Sequence, residues 1–217
     1  ATVDHARPPA EQADTPAQYR LPQRSASGKG VKRDLAKAAD WYRKAALQGY
    51  SKAQTNLGNL YRSGKGVDKD YGEAMRWYRK AAGQGDTKSN INIAMMYADG
   101  QGVDKEEEMG LKWLEEAAGE GDPQAMVNLG NRYRAGKGGV EKNPAESVLW
   151  FRLAATKGDT IAQHNLGLSY LTGKGNTKDY AESVKWHRKA AKKGYPPAEY
   201  SMGLRYAKGK GVSQDAG

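Results

Sequence analysis

Five tryptophans constrain this chain more than any other feature. Trp41, Trp77, Trp113, Trp150 and Trp186 are separated by 36, 36, 37 and 36 residues, and each stands in a variant of Trp-Tyr-Arg-Lys-Ala-Ala. A fixed period of this size marks an array of supersecondary units, each too small to bury its own apolar face. The rest of the period repeats as well. Asn56-Leu57-Gly58 with Tyr61 and Gly64-Lys65-Gly66 returns as Asn128-Leu129-Gly130 with Tyr133 and Gly136-Lys137-Gly138, then as Asn165-Leu166-Gly167 with Tyr170 and Gly173-Lys174-Gly175. Full repeats therefore run 51–86, 87–122, 123–159 and 160–195, with half repeats at 28–50 and 196–217.

Each unit reads as two helices. Ala53, Leu57, Gly58 and Tyr61 fall at i, i+4, i+5 and i+8 on one helical face, and Gly58 allows a neighbouring helix to approach closely. Gly64, Gly100, Gly136, Gly173 and Gly209 stand where a left-handed residue would end that helix. Asp70 is placed to accept from the first free amides of a second helix, with Glu73 completing a capping-box pair; Asn143 followed by Pro144, and Asp179 with Glu182, mark the same boundary later. Ala74, Trp77, Tyr78 and Ala81 form the apolar stripe of that second helix. Arg76, Arg79 and Lys80 are expected on its solvated side.

The consensus Ala-x-x-x-Leu-Gly-x-x-Tyr-x-x-Gly-x-Gly-Val, a short turn with an acidic cap, then Ala-x-x-Trp-Tyr-x-x-Ala-Ala-x-x-Gly closely resembles the Sel1-like repeat family, a relative of the tetratricopeptide repeats. The resemblance covers residues 28–217. It implies an all-α fold, a right-handed α-solenoid of antiparallel helix pairs with a concave inner surface. It also implies an adaptor or scaffold that binds a protein or peptide partner, within a larger assembly and without catalysis.

Departures from the pattern are informative. Residues 1–27, rich in Ala, Pro, Gln and Arg, read as an irregular arm, although Ala17-Gln18 and Leu21 align with Ala53-Gln54 and Leu57 as a decayed first helix. Pro22 there takes the place of the packing glycine, and proline inside a helix costs roughly 3 kcal/mol. The extra Gly139, and Asn176 where other copies have Val67, Val103 or Val140, are expected to loosen their loops. Asp215 matches the cap Asp70, so either the helix over 197–208 closes the array or another helix follows.

Charge tests the other function classes. The net charge is +10 with a pI near 9.5, which by itself suggests a nucleic-acid partner. Yet residues 87–122 carry a net −6, with Glu106, Glu107, Glu108, Glu115, Glu116 and Glu120 midway along the array, where a phosphate track would be repelled. Nucleic acid is therefore disfavoured. Arg188, Lys189, Lys192 and Lys193 remain as candidates for an anionic surface, with peripheral membrane contact or nucleic acid as the alternative reading.

Catalytic and metal constellations are not found. Gly58-x5-Gly64-Lys65-Gly66 is one residue too long for a phosphate-binding loop and no Ser or Thr follows the lysine. His5, His164 and His187 have no nucleophile or metal-ligand spacing around them, and His187, at the position of Tyr42 and Tyr78, reads as a core or rim residue. No cofactor or metal is expected. The absence of cysteine excludes disulfides and thiolate chemistry, and no run reaches the roughly 18 apolar residues of a transmembrane helix. A start at Ala1 reads as a processed form or a fragment, which favours the periplasm or secretion over the cytoplasm.

The concave surface carries the site expectation. By alignment with tetratricopeptide first helices, the residues two before and two after the conserved leucine face inward. Those are Thr55 and Asn59, Ile91 and Met95, Val127 and Asn131, His164 and Leu168, then Tyr200 and Leu204. The aliphatic members would serve either as anchors for a partner or as packing between neighbouring first helices.

Overall fold

The computed structural model describes residues 34–209, and every regular element among them is an α-helix. The N-terminal arm 1–27, with its proline break at Pro22, and Asp215 lie outside the described residues. The helices are α1 (Leu35–Leu47), α2 (Ser51–Ser63), α3 (Tyr71–Ala82), α4 (Thr87–Asp99), α5 (Glu107–Gly119), α6 (Pro123–Ala135), α7 (Pro144–Thr156), α8 (Thr160–Thr172), α9 (Tyr180–Ala191) and α10 (Pro196–Lys208). Even-numbered helices are the first helices of the repeats and odd-numbered ones the second. The chain forms two compact units, one ending at Glu106 and one beginning at Glu107.

Both kinds of boundary follow from single residues. Asp70, Asn143 and Asp179 accept from the backbone amides of Glu73, Glu146 and Glu182 at 2.9, 3.1 and 2.9 Å, which starts α3, α7 and α9. All five first helices among the described residues end on a left-handed glycine, from Gly64 (φ 66°) to Gly209 (φ 57°), a conformation strained for residues with a Cβ. The capping-box expectation is corrected. Glu73 does not return to the cap amide, because Asp70 N–H already donates to Tyr61 O. Its carboxylate instead accepts from Trp77 Nε1 at 3.1 Å and Arg76 Nη1 at 2.8 Å, and Glu182 repeats this with Trp186 and Lys185.

In the unit ending at Glu106, Ala38, Ala45, Ala53, Leu57, Ala74, Tyr78 and Ala81 are fully buried. So many alanines let helix axes come close, and Gly58 carries this furthest: a Cβ there would lie 2.6 Å from Cε1 of Tyr78. The unit beginning at Glu107 repeats the arrangement: a Cβ on Gly130 would lie 2.7 Å from the Phe151 ring, and one on Gly167 2.8 Å from the His187 ring.

The turn before each second helix also packs tightly. A Cβ on Gly66 would meet the Leu35 backbone at the start of α1, and one on Gly102 would meet Tyr71 at the start of α3. In the other unit Gly175 meets Pro144 at the start of α7. In the turn with the extra residue, Gly139 and not Gly138 takes this role, and less tightly: a Cβ on it would lie 3.1 Å from the Glu107 carbonyl oxygen, against 2.6 Å or less in the other turns, while the Gly138 carbonyl accepts from Arg132 Nη1 at 2.7 Å. Asn176 is half-buried, with neither side-chain polar atom hydrogen-bonded.

Candidate protein-interaction surface

The inward positions of the first helices divide into two kinds. Thr55, Ile91 and Val127 are buried. The Thr55 hydroxyl lies 2.9 Å from that of Ser89 and donates to Ser51 O, so it joins α2 to α4 within one unit. The remaining positions reach the surface: Met95 is 44% exposed and Tyr200 71%, while Asn59, Asn131, His164, Leu168 and Leu204 are half-buried.

Polar groups among these residues are already organised. In the first unit Asn59 Oδ1 accepts from the Tyr78 hydroxyl at 2.7 Å and from Asn92 Nδ2 at 3.4 Å. Burial raises the Tyr78 phenol to about 12, so it stays a donor. In the second unit the ring beneath Asn131 is Phe151, which has no hydroxyl. Arg134 supplies the donor instead, reaching Asn131 at 2.8 Å and Asn165 at 3.3 Å, with its guanidinium 5.5 Å from the Phe151 centroid. An open cleft of about 320 Å³ beside Thr55, lined by Lys52, Asn56, Asp86 and Lys88 among others, adds a polar hollow at the starts of α2 and α4. Sequence reasoning missed Arg134 and Asn92, because they lie off the leucine-centred offsets it used, and this cleft, because Thr55 alone of its lining stands at such an offset.

His164 and His187 form a second cluster. Their ring centroids are 5.1 Å apart, and His164 also stands edge-on to Tyr195 at 5.6 Å. His187 is fully buried, with Ser183 Oγ 3.4 Å from its Nδ1 and no partner for Nε2. Burial, and then the charges of His164 and Arg205, push its imidazole down to about 4, and burial lowers His164 as well. Both rings are therefore neutral at pH 7. Among the described residues no group of three or more His, Asp or Glu side chains could hold a metal ion.

The outer faces differ from the sequence reading at one position. Arg79 is not merely solvated: its guanidinium donates to the Tyr97 hydroxyl at 3.1 Å, as Arg43 does to Tyr61 and Arg152 to Tyr170 at 3.1 and 2.9 Å. Each bond ties a second helix to the first helix that follows. The signal was available as an Arg–Tyr pair 18 residues apart, recurring with the period. Of the basic candidates, Arg188, Lys189, Lys192 and Lys193 are all exposed, but Lys189 lies 4.2 Å over the Trp186 ring and Lys193 Nζ donates to Gly158 O at 2.7 Å. Among the described residues no helix is long and apolar enough to cross a membrane.

An all-helical array of near-identical antiparallel pairs, with a polar-and-apolar first-helix face and no metal cluster among the described residues, defines a helical-repeat protein. The Sel1 repeat model matches residues 15–50, 51–86, 87–122, 123–159, 160–195 and 196–217, so the chain belongs to the Sel1 repeat family and carries six of its repeats. Solved structures agree. A Sel1 repeat protein from Oxalobacter formigenes is 36% identical with a TM-score of 0.85, the match covering 96% of this chain and 85% of that one. The protein c5321, a protective antigen of uropathogenic Escherichia coli with the same fold, is 34% identical with a TM-score of 0.71, over 95% of this chain and 52% of its own. The immunity protein Pa5087 of Pseudomonas aeruginosa, 24% identical over 90% of this chain and 71% of its own, shares the fold at a TM-score of 0.61. No curated protein matches the chain. Sel1 repeat proteins act generally as protein-interaction scaffolds, and the fold is typically non-catalytic.

Proposed function

We propose that this chain is a non-catalytic adaptor that holds a protein or peptide partner on the inward faces of its first helices. The observation that supports the reading is the exposure of two large apolar side chains: Met95, at the position that carries Asn59 and Asn131 in other repeats, and Tyr200, at the position of Thr55, Val127 and His164. Isolated apolar anchors beside fixed amide donors and acceptors suit a peptide, which presents side chains and backbone groups together. In the unit ending at Glu106 the surface would be Asn59 and Met95; in the other, Asn131, Arg134, Leu168, Tyr200 and Leu204. Buried Thr55, Ile91 and Val127 hold the helices in register beneath it.

Affinity capture from the native source at low and high salt, with and without nuclease, tests this. Defined proteins that survive nuclease and high salt support the adaptor. Recovery only of nucleic acid or anionic lipid, lost as salt rises, overturns it in favour of the cationic side chains of α9.

A further inference from the structure

In α1, α3, α5 and α9 the residue before the tryptophan and the residue three after it are exposed and charged: Asp40 and Lys44, Arg76 and Lys80, Lys112 and Glu116, Lys185 and Lys189. Helix α7 breaks this rule at both places. Leu149 and Leu153 stand there instead, 52% and 48% exposed, one turn apart on one face. They line an open groove of about 370 Å³ with Glu146, Trp150, Arg152 and Thr156. The groove differs chemically from its counterparts. Lysines cover the rings of Trp41, Trp77 and Trp186, whereas Leu153 occupies that position in α7, and the buried Trp150 indole N–H makes no hydrogen bond where Trp77 and Trp186 donate to a glutamate.

The flanks of this stripe carry opposite charge. Gly139 packs on the start of α5, and Lys157 Nζ would lie 3.1 Å from a Cβ on Gly121 just past its end, so α5 runs beside α7 in the same direction. Gly175 packs on the start of α7 and Lys193 reaches Gly158 past its end, so α9 runs parallel on the other side. The α5 side exposes Glu115, Glu116 and Glu120 with a single lysine, Lys112, between the helix start and them; the α9 side exposes Lys185, which pairs with Glu182, and Arg188, Lys189, Lys192 and Lys193.

We propose that this face is a self-association surface and that its occupant is a second copy of the chain. An apolar stripe with an acidic bank on one side and a basic bank on the other is self-complementary under one two-fold operation. An axis parallel to α7 sets Leu149 and Leu153 against their own copies and places each acidic bank over the partner's basic bank; an axis across the helices would oppose like charges. The surface is on the second helices, apart from the proposed partner face, so self-association and partner capture are separable.

Sedimentation velocity of the full chain from about 1 to about 500 µM tests the proposal, a range that brackets a micromolar dimer. The mass should rise from 23.6 kDa toward twice that value, at lower concentration in low salt than in high. Leu149→Arg with Leu153→Lys, the residues α3 carries at these places, should stay monomeric with an unchanged circular dichroism spectrum. A second pair of variants keeps the test independent of the leucines. Glu115→Lys with Glu116→Lys, and separately Arg188→Glu with Lys189→Glu, should each lose self-association, while an equimolar mixture regains it as a heterodimer. A wild-type chain that stays at 23.6 kDa throughout overturns the proposal and leaves the stripe to another protein or a lipid surface. A dimer that survives the leucine substitutions, or a mixture that stays monomeric, overturns it equally.

Discussion

The helix pairs α2–α3 and α8–α9 share one backbone plan and solve its central contact differently. In the first, the Tyr78 ring lies over Gly58 and its hydroxyl reaches Asn59 at 2.7 Å, so the polar end of a buried aromatic is satisfied. In the second, His187 lies over Gly167, and the position of Asn59 is taken by Leu168, whose side chain can accept nothing. The imidazole keeps an unpartnered Nε2 beside His164. In these pairs a flat ring lies above a glycine, while the ring's polar chemistry follows the residue two after the conserved leucine; the repeat 87–122 carries Ala94 and Leu114 at the glycine and ring positions instead. The Phe151–Asn131 pair supports this: without a hydroxyl, Arg134 supplies the donor that Asn131 accepts.

The steric half of the comparison should give the largest effect. Gly58→Ala places a Cβ 2.6 Å from the hydrogen-bonded Tyr78 ring and should cost about 2–3 kcal/mol in urea unfolding, in the range of overpacked cores. Gly167→Ala faces a smaller, less anchored ring and should cost less; equal costs would show that the hydroxyl does not pin Tyr78. Acid should discriminate the pairs next. His187 binds a proton less readily folded (about 4) than unfolded (about 6.5), so the unfolded state takes up the extra proton between those values. Stability should thus fall as pH drops from 6.5 to about 4, by on the order of 2–3 kcal/mol. His187→Phe, which copies Phe151, should remove this loss; an unchanged pH profile would place the titration elsewhere.

Smaller effects sharpen the same contrast. Tyr78→Phe removes one hydrogen bond from Asn59 and should cost about 1 kcal/mol by thermal or urea unfolding. Gly203 in α10 corresponds to Gly58, but among the described residues no atom lies within 4 Å of a Cβ built there. Gly203→Ala should therefore stabilise by up to about 1 kcal/mol, the ordinary helix preference for alanine, where the same change at Gly58 destabilises.

Much of this was legible in the sequence, because a period repeated five times fixes helix starts, stops and buried faces. The left-handed glycines, the caps Asp70, Asn143 and Asp179 and the packing role of Gly58 all follow from residues read in register. What the period hid were contacts that belong to pairs of positions. Glu73 was assigned to its own cap because the indole of Trp77, one turn on, was counted only as apolar. The Arg79–Tyr97 bond was missed because each residue was judged by its own helix face. That Gly139 and not Gly138 meets the α5 backbone is not legible, because an insertion does not say which glycine will occupy the contact. On the surface, treating both offsets from the leucine alike hid their difference: the position two before it is buried at Thr55, Ile91 and Val127 and reaches the surface at His164 and Tyr200, whereas the position two after it is never buried among the described residues.

The most direct measurement for the adaptor reading is quantitative mass spectrometry of proteins captured in high salt by the wild-type chain, by a Leu168→Glu, Tyr200→Glu variant and by a Leu149→Arg, Leu153→Lys variant. All three should share one circular dichroism spectrum. The account predicts that defined partners are depleted at least about tenfold, equivalent to about 1.4 kcal/mol, by the first variant and retained by the second. Equal retention by all three folded chains would contradict a partner site on the first-helix face.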